Sequence, residues 1–186
     1  MTAVKSAQTD LEVINFLINS EMQLASYMMD MGLRLAAPSN AYLGFSAYFM
    51  EGAKHTHRKA IMAAFFIQEI GGTFAFSDIK AYNQNVSDPV AALDAIIGLE
   101  ESILGTLRNA IINDPGLRVF IDNCIKEKAI HIGVKKTFMT KLIRVQNNPE
   151  GLDRINDELL MVEALAKHHH KHHGDKHHHK KCHHCK

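Results

Sequence analysis

Tryptophan is absent, and the three cysteines, at 124, 182 and 185, are too few and too unevenly placed to build a disulfide framework. That scarcity fits a reducing compartment, so the cytoplasm is the expected location. No apolar run approaches the roughly 20 residues that span a bilayer, which argues against a membrane protein. The opening MTAVKSAQTD meets charge and polarity at once and holds no apolar signal core, so secretion is not expected. Proline is scarce too: its four copies, Pro38, Pro89, Pro115 and Pro149, punctuate the chain instead of pervading it. An Arg-rich stripe and any helix-turn-helix or RNA-binding signature are missing, so nucleic acid is not an expected partner.

What remains is one domain's worth of chain, 186 residues and 46% hydrophobic, with nine Met and nine Phe to fill a core. Net charge is +1 but divides unevenly. Residues 168–186 carry five Lys against one Asp, a tail of +4, while residues 1–167 hold 16 basic against 19 acidic side chains, a body of −3.

Apolar residues recur with helical period from Asp10 to about Ala37, through Leu11, Ile14, Leu17, Ile18, Met22, Ala25, Met28, Met29 and Leu35. Pro38-Ser39-Asn40 ends that helix and offers Asn40 as the cap of a second, which runs to the Gly71-Gly72 stop. Residues 72–88 show no sustained period and read as a long crossover ending at a Ser87-Asp88-Pro89 helix start. A third helix runs to about Asn113, a fourth from Leu117 to about Gln146, and Pro149-Glu150 open a shorter fifth. Short first and third connections with one long crossover imply antiparallel neighbours within each pair and parallel second and third helices. The expected fold is therefore all-α.

Each long helix also places ionisable residues on its apolar stripe, where they are rarely tolerated without a partner. Glu21 lies on the first. On the second, the series Met50, Lys54, His57, Ile61, Ala64 puts Lys54 and His57 inside. The third contributes Glu100 and the fourth Lys128 and His131. All fall near mid-helix, so the six side chains are expected to meet at one level.

In order and spacing the chain resembles the ferritin family over about residues 8–165. The resemblance rests on Leu17-Ile18-Asn19-Ser20-Glu21-Met22, on His57 with the basic and apolar residues after it, on Leu99-Glu100, and on the stretch from Phe120 to Glu127. It implies a ferritin-like up-down-down-up four-helix bundle with a long crossover and a short fifth helix, stored iron as the cargo, and a 24-subunit hollow shell built from two-fold dimers. In that family Fe(II) is oxidised at a centre of carboxylates and one His, hard ligands suited to iron. Glu21, His57 and Glu100 match that set. Lys54 stands in place of the bridging Glu, Lys128 at the Gln and His131 at the following acidic position. The family's first-helix Tyr is displaced, with Met28 at its place and Tyr27 one residue away.

Two carboxylates facing two ammonium groups sum to zero charge, so ion pairs compete with metal for the ligands. This looks like the light-chain ferritins of animals, which nucleate mineral without rapid oxidation. No catalytic residue is assigned. A single metal on Glu21 and His57, joined by Glu100 or His131, stays open, as does a ferroxidase with rearranged ligands. His55 sits where haem-containing members carry a ligand Met, but haem is not expected. Asp122 is the candidate for an acidic three-fold channel.

From His168 the chain reads HHHKHHGDKHHHKKCHHCK, with ten of the thirteen His and two of the three Cys. No core can form from residues 168–186, which are expected to be disordered. His168, His169, His170, His172, His173, His177, His178, His179, His183 and His184 supply imidazoles, and Cys182 and Cys185 have the C-x-x-C spacing of a zinc-like site. Zn, Ni and Cu suit such donors as well as iron. Sequestration of nickel, zinc or copper on a ferritin shell is the alternative function. An affinity tag would be an unbroken run, whereas here Lys, Asp and Cys interrupt the histidines.

Overall fold

Helix starts follow the capping chemistry of the sequence. Thr9 accepts from Glu12 N while Glu12 reaches back to Thr9 N, a reciprocal capping box. Asp88 accepts from Val90 N and Ala91 N and Asp114 from Leu117 N, and each is followed by a proline whose fixed φ suits the first helical position. The computed structural model describes residues 9–81 and 88–174, with 163–174 as backbone alone. Among these residues it is all-helical: α1 Asp10–Leu35, α2 Leu43–Glu69, α3 Pro89–Arg108, α4 Pro115–Val145 and α5 Pro149–Gly174. None of these helices is long and apolar enough to cross a membrane.

Asn40 does not cap the second helix. Its Nδ2 donates to Arg34 O at 2.9 Å, closing the end of α1 instead. Ala41 then turns the chain at φ 56°, and α2 begins after Tyr42, whose own side chain does not cap it. At the other end Gly71, at φ 75°, takes the left-handed conformation that stops α2.

The most extensive contact joins α1 and α2, which run antiparallel: Gly32 lies against Met50, Met28 against Gly52 and Leu11 against Gly72. Along α2, aromatic and imidazole contacts step the opposite way down α4, with Tyr48 on Phe138, His55 on His131 and Phe66 on Phe120. On the far side α3 packs on α4 and α1. Leu17, Ile18, Phe45, Phe49, Leu93, Ile96, Ile121 and Leu142 belong to the core shared by the four.

The segment that follows α2, described to residue 81, is tied down by side chains of α1. Asn15, Asn19 and Gln23, one turn apart, lie on one face of α1. Asn19 donates to Ala75 O and accepts from Ser77 N, at 2.9 and 2.7 Å. Gln23 does the same with both backbone groups of Lys80, at 2.7 and 2.8 Å, and Asn15 accepts from Ala75 N at 3.0 Å. The side-chain amides replace a partner strand for an extended segment that has none among the described residues.

The fifth helix is not short. It spans 26 residues and lies along α2, where Asn156 Oδ1 accepts from Gly44 N and Phe45 N. Gly44 is required there, because a Cβ would stand 1.7 Å from Asn156 O. The last turns of α5 carry the backbone of 168–174, the first residues of the histidine-rich segment.

Candidate metal centre

The inner face of α2 sets which residues reach the molecule's centre. Buried positions on it are Phe45, Phe49, Ala53, Thr56, Ala60, Ala63 and Ile67. The expected series Met50, Lys54, His57, Ile61, Ala64 is this stripe displaced by one residue, about 100° of rotation. Lys54 and His57 are consequently exposed, not interior. Lys54 makes a surface pair with Glu51 at 3.1 Å, and His57 borders a separate groove with Ile18, Met22, Phe65 and Phe76. Close packing of α1 on α2 explains the displacement. Mid-helix it places the small Ala53, Ala60 and Ala63 inside and leaves the bulkier Ile61, Met62 and Phe65 outside, so bulk misreports the phase there.

Glu21, Glu100 and Lys128 do come together, joined by a fourth residue that sequence reasoning missed, Lys135. All are buried, at 2%, 3%, 4% and 9% exposure. Lys128 Nζ lies 2.6 Å from Glu21 Oε1, and Lys135 Nζ lies 2.9 Å from Glu100 Oε1. The signal for Lys135 was present: it continues the buried α4 series Ile121, Lys128, Ile132, Lys135, Met139 and Leu142. Charge still sums to zero, with Lys135 in the role expected of Lys54.

These four line a cavity of about 370 Å³ with Tyr48, Thr56, Lys59 and His131, and α5 borders it through Leu159 and Val162. Where α2 faces the cavity its buried polar group is neutral: the Thr56 hydroxyl donates to Met28 Sδ at 3.8 Å. Glu21 and Glu100 each keep one oxygen, Oε2, buried without a hydrogen-bond partner among the described residues. Burial, and then the charge of Glu100, pushes the Tyr48 hydroxyl up to about 12. Burial likewise pushes the Cys124 thiol up to about 11, with Glu21 adding to it. His131 is shifted down, first by burial and then by Lys59 and Lys135, so its imidazole is neutral at pH 7.

A pair of dications does not fit these residues. Each carboxylate already has an ammonium group within 3 Å, and a metal would have to displace Lys128 and Lys135, leaving two buried cations unpaired. Among the described residues, no three His, Cys, Asp or Glu side chains gather as a metal-holding group. Asp122 lies exposed on α4. The side chains of His168, His169, His170, His172 and His173 lie outside the described residues, as do His177, His178, His179, Cys182, His183, His184 and Cys185. No protein-family model matches the chain, and no curated protein matches it.

Proposed function

We propose that this chain is a ferritin-type shell subunit that stores iron without oxidising it rapidly, its oxidation centre replaced by two buried Glu–Lys ion pairs. The observation that carries the reading is the meeting of Glu21–Lys128 and Glu100–Lys135 from α1, α3 and α4 around one cavity. The up-down-down-up bundle is supported by the antiparallel α1/α2 contacts, by α2 stepping antiparallel down α4, and by the crossover lying along α1. Self-association is supported by large apolar side chains left exposed on α1, α2 and the crossover: Leu33, Ile61, Phe65, Phe76 and Ile79.

In this reading iron(II) is cargo. Its oxidation by dioxygen takes place on the growing mineral, because the paired ammonium groups hold the interior carboxylates. An active ferroxidase with rearranged ligands would need His57, which faces away from the cavity, or the release of both lysines. Light scattering on the purified chain tests the shell. A particle of about 24 subunits is expected, and a monomer or dimer that keeps its helical signal would overturn the proposal.

A further inference from the structure

The side of α4 turned away from the core is basic and aliphatic. Opposite its buried series from Leu117 to Leu142 it carries Val119, Lys126, Ile130, Val134, Lys141 and Arg144, all exposed. None of these cations has an ion pair among the described residues, whereas Lys136, on the flank of the helix, is paired with Glu101. The outer side of α5 is the complement. Leu152, Asn156 and Leu159 turn toward the body, and Glu150, Asp153, Asp157, Leu160 and Met161 are left exposed. Glu150, Asp153 and Asp157 too have no ion pair among the described residues, while the neighbouring Glu158 is taken by Arg154. We propose that α4 of one copy docks antiparallel on α5 of a second copy of this chain.

Spacing suits that partner. Lys141 and Arg144 lie three residues apart, about 4.5 Å along the helix, and so do Glu150 and Asp153. Run antiparallel, Arg144 meets Glu150 and Lys141 meets Asp153. Seven residues further along each helix the same alignment sets Val134 against Leu160, with Ile130 and Met161 next to them. The C-terminal end of α4 then lies beside the N-terminal end of α5, the favourable arrangement of two helix dipoles.

Burial of the four aliphatic side chains drives the association. Ion pairs at a wet surface add little affinity, but they choose the partner and the register, because like charges brought face to face are penalised. The remaining segments of the chain are poor alternatives for covering α4. Residues 1–8 and 82–87 contain no acid, and residues 163–186 hold six Lys against Glu163 and Asp175. A second copy, by contrast, brings the acids of α5 with the right spacing.

Sedimentation equilibrium of the full chain and of two charge-reversed variants tests the contact. Lys141→Glu with Arg144→Glu makes both contacting surfaces acidic, and Glu150→Lys with Asp153→Lys makes both basic. Each variant alone, its helical signal unchanged, should raise the dissociation constant between copies at least about tenfold. An equimolar mixture of the two should recover the wild-type value, because each variant then offers the charge that the other lacks. Variants that associate as the wild type does, or a mixture that stays dissociated, overturn the contact. So does association that ignores the reversals while binding to phosphatidylserine vesicles is lost in the Lys141→Glu, Arg144→Glu variant, since α4 would then face a lipid surface. The contact rests on the shell reading only in that copies must associate. A monomeric wild-type chain overturns both, whereas full-sized particles from each variant alone overturn this contact and leave the shell standing.

Discussion

Lys128 and Lys135 reach their carboxylates from positions seven residues apart on one face of α4, and each pair is almost wholly removed from water. Breaking such a pair from one side strands a buried charge and costs about 3–5 kcal/mol, whereas replacing both partners with apolar residues of similar size is close to neutral. Lys128→Met should therefore lower the unfolding free energy by about that amount, and Glu21→Met combined with Lys128→Met should restore most of it. Urea denaturation of the three proteins reads this, and a double variant no better than the single one would contradict it. His131 gives a second prediction at this scale. Its folded-state pKa lies below the unfolded value near 6.5, so its contribution to stability is present above that pH and is lost as pH falls through the folded value. Between pH 7.5 and 5.5, with a chelator present, the wild-type chain should lose more stability than His131→Gln. Equal losses would show that His131 is not held neutral.

The extended segment after α2 is held to α1 by side-chain hydrogen bonds of Asn15, Asn19 and Gln23. Asn19 makes two hydrogen bonds to it, and Asn19→Ala leaves Ala75 O and Ser77 N without those partners. A loss of about 1–3 kcal/mol is expected, with hydrogen exchange of the Ser77 amide accelerated well before that of the core amides of α4. Unchanged exchange at Ser77 would mean that the crossover is held by other contacts. Helix existence was legible in the sequence, because proline, capping aspartates and apolar periodicity mark α1, α3 and α4 directly. The phase of α2 was not: the middle of its inner stripe is made of Ala53, Thr56, Ala60 and Ala63, residues too small to announce burial, while Ile61 and Phe65 face outward. For that reason periodicity draws Lys54 and His57 inside, whereas Lys135 was legible on α4 as a continuation of the series through Lys128 and Ile132. The length of α5 was hidden for a different reason. The contact that docks it, Asn156 on the backbone of Gly44, joins residues 112 apart in sequence and leaves no periodic trace.

At the scale of the whole molecule, exposed apolar side chains on α1 and α2 enclose an interior in which Glu21 and Glu100 each already hold an ammonium group. On the proposed function, this interior does not take up and oxidise a pair of iron(II) ions. The direct measurement is dioxygen uptake by stopped-flow on mixing the full chain with iron(II) in air. Slow uptake without a saturating fast phase, unaltered by Glu21→Gln or Glu100→Gln, is the predicted result. A saturating fast phase in the wild-type protein, abolished by Glu21→Gln, would contradict it.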